Sequence, residues 1–286
     1  MNVYLVLSIQ MLIAGATHIV AKAVVGTVDA ATLTFLRSIL STGGLLGILF
    51  LRKRFPHVER ADWKRLVWVG FLGLPVNQFC YLYGLQYSTA ANGALLYATT
   101  PVIVLLLSRV LLKEAIAPKK ALGIALAFAG VAVVVFERGV DFSSEHTFGN
   151  LMILIAVVAW GLFTVQGKPL VVKYGAIQTT SIAMTIGMLL FLPLGIYAVA
   201  DFPIVQLSSS HWIGIAYLGL GTSVFGYMLW YYALGKIEAG KVAVFTNGQP
   251  IFATILALIF LDYTITAMFV LGGVITLAGV ITTQRS

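Results

Sequence analysis

"YATTPVIVLLLSRVLLKE", Tyr97 to Glu114, sets a proline inside a run apolar enough to cross a bilayer, and "TNGQPIFATILALIFLDY", Thr246 to Tyr263, repeats the arrangement with Pro250. A proline lacks its own N–H and pushes away the carbonyl four residues earlier, so Pro101 is expected to free the carbonyl of Tyr97 and Pro250 that of Thr246. In hydrocarbon an unmet carbonyl costs roughly several kcal/mol. Irregular backbone at that depth persists where it is buried in protein or lines a water-filled cavity. Thr99 and Thr100 crowd beside one proline, and Asn247 and Gln249 beside the other. The two stretches therefore read as helix bends that shape a central pathway, against the plainer reading of packing kinks.

The composition agrees with a membrane environment. Apolar residues make up 60% of the chain and charged residues only 10%, and the mean hydropathy is +0.98, so the surface has no means of hiding from water. Apolar segments recur near the ~20 residues a helix needs to cross ~30 Å of hydrocarbon. Cutting at charged or Pro/Gly-rich breaks predicts ten spans, at roughly 3–25, 30–51, 64–86, 90–112, 118–137, 149–172, 178–200, 211–235, 239–261 and 267–283. The first span lacks a basic leader and reads as retained. The lone Cys80 excludes an internal disulfide and a cysteine metal cluster.

Lysine and arginine collect in short loops on the cytoplasmic side of a membrane. "RKRFPHVERADWKR" (Arg52 to Arg65), "KEAIAPKK" (Lys113 to Lys120), the Lys168/Lys173 region and "GKIEAGK" (Gly235 to Lys241) all fall on one side under alternation, as does Arg285. Both termini are therefore expected in the cytoplasm, and the net charge of +8 is a topology signal that needs no nucleic-acid partner.

An internal repeat explains more than the span count. In the register that pairs Pro101 with Pro250, Tyr83 meets Tyr232, Ala90 meets Ala239, Gly123 meets Gly272, and Ala129-Gly130 meets Ala278-Gly279. "AGATHIVAK" (Ala14 to Lys22) likewise aligns with "WGLFTVQGK" (Trp160 to Lys168), pairing Gly15 with Gly161 and Lys22 with Lys168. Two halves, 1–148 and 149–286, with five spans each would enter the bilayer from opposite faces. The expected fold class is thus an all-α polytopic membrane protein of two inverted five-helix repeats, an organisation that places a substrate site at the midplane between the halves.

These features together resemble the drug/metabolite transporter superfamily, in particular its ten-helix EamA-type members. The resemblance rests on the five-plus-five arrangement, the small-residue and lysine block in helices one and six, the arginine of "TFLRSIL" (Arg37), and the proline with a downstream glutamate in "PVIVLLLSRVLLKE". It implies a central cavity lined mainly by helices 1, 3, 4, 6, 8 and 9, alternating access, and export of amino acids, related metabolites or drugs. The chain departs from the family pattern at Ala14-Gly15, where a Trp-Gly pair is common, and in the second half, where Asp262 and Tyr263 stand in place of Lys113 and Glu114.

Faces follow from spacing. Gly15, His18 and Lys22 share a stripe in helix one, and Trp160, Thr164 and Lys168 form its counterpart in helix six. Helix three offers Asn77, Gln78 and Tyr81, helix eight offers Thr222, Ser223, Tyr227 and Tyr231, and the proline segments add Tyr97, Thr100, Asn247 and Gln249. Of these His18, Asn77, Gln78, Tyr81, Tyr97, Thr100, Trp160, Thr164, Tyr227, Tyr231, Asn247 and Gln249 are the candidate cavity residues, with Pro101 and Pro250 as bends. Both lysines read as snorkelling to the nearer interface; Arg37, about 10 Å into the membrane, needs a partner or water, and the family resemblance implies a structural role for it.

No P-loop, HExxH or GxSxG occurs, and every carboxylate falls in a loop or at a span end. The expectation is a multi-pass inner-membrane carrier, with no enzymatic activity and no cofactor or metal. It would export small amphipathic metabolites, most naturally amino acids with aromatic or apolar side chains, either uncoupled or weakly coupled through His18. The alternatives are a drug or other metabolite exporter of the same family, or a receptor or scaffold that transports nothing. Its partners would be a small-molecule substrate and the lipid bilayer.

Overall fold

The computed structural model describes residues 2–53, 57–137, 143–252 and 266–286, and among these residues the chain is helical throughout, without a strand. Helices α1 (Val3–Val25) and α2 (Ala30–Arg52) are each 23 residues long. The Asp29 carboxylate caps α2 by accepting from the Ala31 and Thr32 amides at 3.0 and 2.9 Å, which satisfies two amides that a helix start leaves unpaired. Helix α5 is Pro118–Glu137, α6 is Ser144–Tyr174, α7 is Ala176–Ala200 and α10 is Ala267–Gln284. Nine helices among the described residues are long and apolar enough to cross a membrane.

Helices α3 and α8 depart from regular geometry in their middles. α3 comprises Trp63–Phe71, a π-helical stretch Leu72–Gln78 containing Pro75, and Phe79–Gln86; α8 comprises Ser209–Ala216, a π-helical stretch Tyr217–Gly226, and Tyr227–Leu234. A π turn bonds residue i to i+5, widening the helix and baring carbonyls that side chains must then satisfy.

Three expectations change. The helix with Pro101 is broken: α4 runs Ala90–Tyr97, turns at Ala98 and Thr99, and resumes as Thr100–Leu111 with the proline in its first turn. The missing N–H thus falls where a helix needs no partner, so Pro101 starts a segment and does not kink a continuous helix. In α9, Ala239–Ala243 passes through a 3-10 stretch, Val244–Gly248, before helix resumes at Gln249 and Pro250. The expected span 239–261 lies beyond residue 252 outside the described residues, as do Asp262 and Tyr263. Finally, the loop expected between α6 and α7 shrinks to Gly175, whose φ of 86° ends one helix and admits the next.

Two large clusters dominate the core: Leu7, Leu45, Leu66, Phe163, Trp230 and Tyr231 are fully buried in one, and Leu33, Leu82, Leu85, Ile153 and Ile215 in the other. The outside stays apolar, with Leu51, Val110, Tyr197, Ile213 and Val274 well exposed. Such a surface is suited to lipid, where helix association rests on close backbone approach rather than on hydrophobic burial. α5 and α10 meet antiparallel through glycines: Gly123 packs on Gly279, and Gly130 on Gly272.

A Cβ on Gly130 would stand 2.5 Å from the Thr276 amide nitrogen and 2.6 Å from the Gly272 carbonyl, whereas one on Gly273 would meet nothing within 4 Å. Gly130→Ala is expected to destabilise the protein by about 1–3 kcal/mol, and Gly273→Ala to leave it within about 0.5 kcal/mol. Thermal unfolding in detergent checks both; equal stability of the two variants would remove the glycine contact as a cause of α5–α10 association.

Candidate functional site

The π stretches of α3 and α8, the middle turns of α1, and the breaks in α4 and α9 converge on one cavity of about 70 Å³. Asn77, at the end of the α3 π stretch, ties four helices: its amide nitrogen donates to the Tyr97 hydroxyl and to the Ala156 carbonyl, each at 2.8 Å, and its oxygen accepts from the Tyr227 hydroxyl at 3.2 Å. His18 lies across from it. One ring nitrogen meets the Tyr81 hydroxyl at 2.5 Å and the other the Gln249 amide oxygen at 3.1 Å. The rings of His18, Tyr81 and Tyr97 meet edge to face at 5.1–5.6 Å, forming one aromatic wall. Trp160 and Tyr227, 5.0 Å apart, form another. Thr17 and Thr222 share a 2.7 Å hydroxyl contact between α1 and α8.

Arg37 also reaches this cavity, with its residue only 2% exposed. Its Nη2 donates to the Leu218 carbonyl at 3.2 Å and to the Ser223 hydroxyl at 2.8 Å, and that hydroxyl donates to the same carbonyl at 3.0 Å. The Leu218 carbonyl, within the α8 π stretch, thus accepts from two side chains. Among the described residues Nε of Arg37 has no partner, and neither do the side-chain oxygens of Gln10 and Gln78, two further lining residues.

Of the residues singled out from the sequence, the cavity gathers His18, Asn77, Gln78, Tyr81, Tyr97, Trp160, Tyr227 and Gln249. Thr100, Thr164, Tyr231 and Asn247 lie outside its wall. Thr164 accepts from the Trp230 indole at 3.0 Å, and Tyr231 stacks on Phe163 at 4.7 Å, so the polar stripe expected along α6 is sealed by an aromatic slab one turn past Trp160. With its amide oriented to suit its neighbours, Asn247 donates to the Ala98 carbonyl at 3.0 Å and accepts from the Phe128 amide at 3.2 Å, mending the break in α4. Thr100 is fully buried in that same region. Gln10, Thr17, Arg37 and Thr222 are lining residues that the candidate set lacks; the spacing of Gln10, Ala14, Thr17 and His18 on one helical stripe is the signal that points to the first two.

The two lysines are fixed by backbone carbonyls and do not merely snorkel. Lys22 donates to Leu85 and Ser88 at 2.7 and 2.9 Å, closing the turn between α3 and α4. Lys168 donates to Ile237 at 3.0 Å in the turn between α8 and α9, and pairs with Glu114 at 2.7 Å. Glu114 also accepts from the Ala239 amide at 3.3 Å, at the start of α9. Nearby Lys120 pairs with Glu238 and holds that carboxyl below its ordinary range.

The profile of the EamA-like transporter family matches residues 1–136 and 147–284. The uncharacterized transporter YetK of Bacillus subtilis is 32% identical over 90% of this chain and 79% of its own length. An uncharacterized transporter of Archaeoglobus fulgidus is 29% identical over 97% of this chain and 95% of its own. A probable terminal-alkyne amino-acid exporter of Streptantibioticus cattleyicolor is 27% identical over 76% of this chain and 71% of its own. A crystal structure superposes with a TM-score of 0.81 at 19% identity, covering 99% of this chain and 96% of the other, which establishes a shared fold. The chain belongs to the EamA-like transporter family, a family of polytopic membrane transporters.

The side chains of Lys168 and Glu114 are 19% and 13% exposed, so their pair is shielded from water. In a double-mutant cycle of Lys168→Met and Glu114→Gln, the coupling is expected at about 1–3 kcal/mol. Additive losses in detergent unfolding would show that the two side chains act independently.

Proposed function

We propose that this EamA-like transporter is a secondary carrier of the inner membrane. It exports small amphipathic metabolites, most naturally amino acids with aromatic or apolar side chains, by alternating access through the central cavity. The observation that carries this reading is the cavity itself: amide and hydroxyl groups set between tyrosine and tryptophan walls at mid-depth, a composition suited to a cargo with a polar head and an apolar body. The amino-acid exporter named among its relatives supports the same class of cargo.

Alternating access needs two halves able to rock, and we read residues 1–148 and 149–286 as inverted repeats of five spans each, with both termini cytoplasmic. Matching positions in the two halves make matching contacts. Gly70 packs on Ala183 and Ile186, and its counterpart Gly219 packs on Arg37 and Leu40, the counterparts of that pair. Lys22 closes the turn at Ser88, and Lys168 closes the corresponding turn at Ile237. Between the repeats, the glycine contact of α5 with α10 exchanges partners as a two-fold axis requires.

The test is flux of a labelled panel of amino acids into liposomes containing only this protein. Apolar and aromatic amino acids are expected to equilibrate at least tenfold faster than in empty liposomes, and His18→Leu, which strips the partner of Tyr81 and Gln249, to slow them by about 10–100-fold, as loss of one or two buried hydrogen bonds implies. If no amino acid moves faster than in empty liposomes, the amino-acid reading fails.

A further inference from the structure

The cavity holds one positive side chain and, among the described residues, no carboxylate within ion-pair distance of it. On its own helix the nearest acid, Asp29, stands eight residues away, about 12 Å along the axis, and its oxygen is engaged at the α2 cap. Arg37 is not paired by the tyrosines either: Tyr97 and Tyr227 are bound to Asn77, and Tyr81 to His18. A guanidinium presents five donors in a planar fork that fits a carboxylate. Here, among the described residues, only Nη2 makes hydrogen bonds, while Nε is buried without a partner. A charge at this depth normally pairs with another or marks a substrate path.

Two complementary vacancies stand in the same wall. Gln10 and Gln78, 4% and 2% exposed, each leave a side-chain oxygen without a donor. A single unmet cation with two unmet acceptors is the mirror image of an α-amino acid's head, a carboxylate beside an ammonium.

We infer that Arg37 is the receptor for the cargo's carboxylate, and that the amide oxygens of Gln10 and Gln78 receive its ammonium. This rests on the reading of the cavity as a cargo site and narrows it to substrates with one free carboxylate. Phosphate esters fit less well, because a near-dianion would exceed the single positive charge available.

The inference separates from a merely structural role of Arg37. Its bonds to Leu218 and Ser223 hold the α8 π stretch, so a structural arginine would be mimicked by any change that loosens that stretch, including Ser223→Ala.

The experiment measures binding to the full chain in detergent by calorimetry. The probes are L-leucine, L-phenylalanine and L-tryptophan, their carboxamides, their des-amino acids and an alkyl phosphate of similar length. Wild type is expected to bind at least one amino acid about 10–100-fold more tightly than its carboxamide. Arg37→Met abolishes that ratio, Arg37→Lys keeps part of it, and Ser223→Ala lowers thermal stability with the ratio intact. Gln10→Leu or Gln78→Leu is expected to erase preference for the amino acid over its des-amino form.

Equal binding of acid and carboxamide by wild type, an unchanged ratio in both Arg37 variants, tighter binding of the phosphate, or binding of none of the acids would each overturn the assignment. Should Arg37→Met not fold, Arg37→Lys against Ser223→Ala decides it. Failure of the carrier reading looks different: the acid binds with the expected ratio, yet no flux follows in liposomes.

Discussion

A backbone carbonyl within the hydrocarbon must find its donor inside the protein, and the centre of this molecule is arranged around that demand. The π stretches of α3 and α8 and the breaks of α4 and α9 would each be costly in lipid. Side chains donate to carbonyls in and around these stretches: Arg37 and Ser223 meet Leu218 in the α8 π stretch, Asn247 meets Ala98 in the break of α4, and on the neighbouring α6 Asn77 meets Ala156 and the Tyr231 hydroxyl meets Phe163. Irregular backbone and polar side chains therefore come as a set. Where the set closes around a void, its remaining donors and acceptors face a cavity between aromatic walls.

The halves use the same positions differently. His18 and Tyr81 bond to each other on the cavity wall, and the positions that align with them hold Thr164 and Trp230, bonded to each other in the core. One pair is polar and reachable. The other is fully buried in a slab with Trp160, Phe163 and Tyr231, toward the face where Lys168, Glu114 and Lys120 form their ion pairs. On the proposed inverted-repeat reading, divergence of one ancestral pair supplies a wet site and a packed plug from equivalent places. Glu114 has Tyr263 as its aligned residue, so the ion pair to Lys168 has no counterpart in sequence for Lys22. The two gates are on this account held by different chemistry.

That the chain is an all-helical, polytopic membrane protein was legible, because apolar segments of bilayer-spanning length recur along it. The cavity was legible where polar residues sit at helical spacing in an otherwise apolar run, as with His18, Asn77 and Gln78. It was misread where a neighbouring helix decides the outcome. Thr164 lies on the right stripe of α6, but Trp230 covers it. Asn247 is polar beside a proline, but its amide is spent on Ala98 and Phe128. The π stretches have no periodicity signature strong enough to see beforehand, since they depend on partners for the carbonyls they bare. Arg37 looked structural for the same reason: only the fold reveals that, among the described residues, a single nitrogen is used and no acid approaches.

The central claim is that one mid-depth cavity is reached from both sides of the membrane in turn. Thr17 lines it, and a single cysteine there, Thr17→Cys in a Cys80→Ser background, reports its access. The measurement is the rate of modification by a membrane-impermeant maleimide applied to either face of oriented vesicles, with and without a transported amino acid, on preparations whose flux is recorded. The account predicts modification from both faces, with the cargo shifting the two rates in opposite senses. Modification from one face alone under every condition, with flux intact, would contradict it.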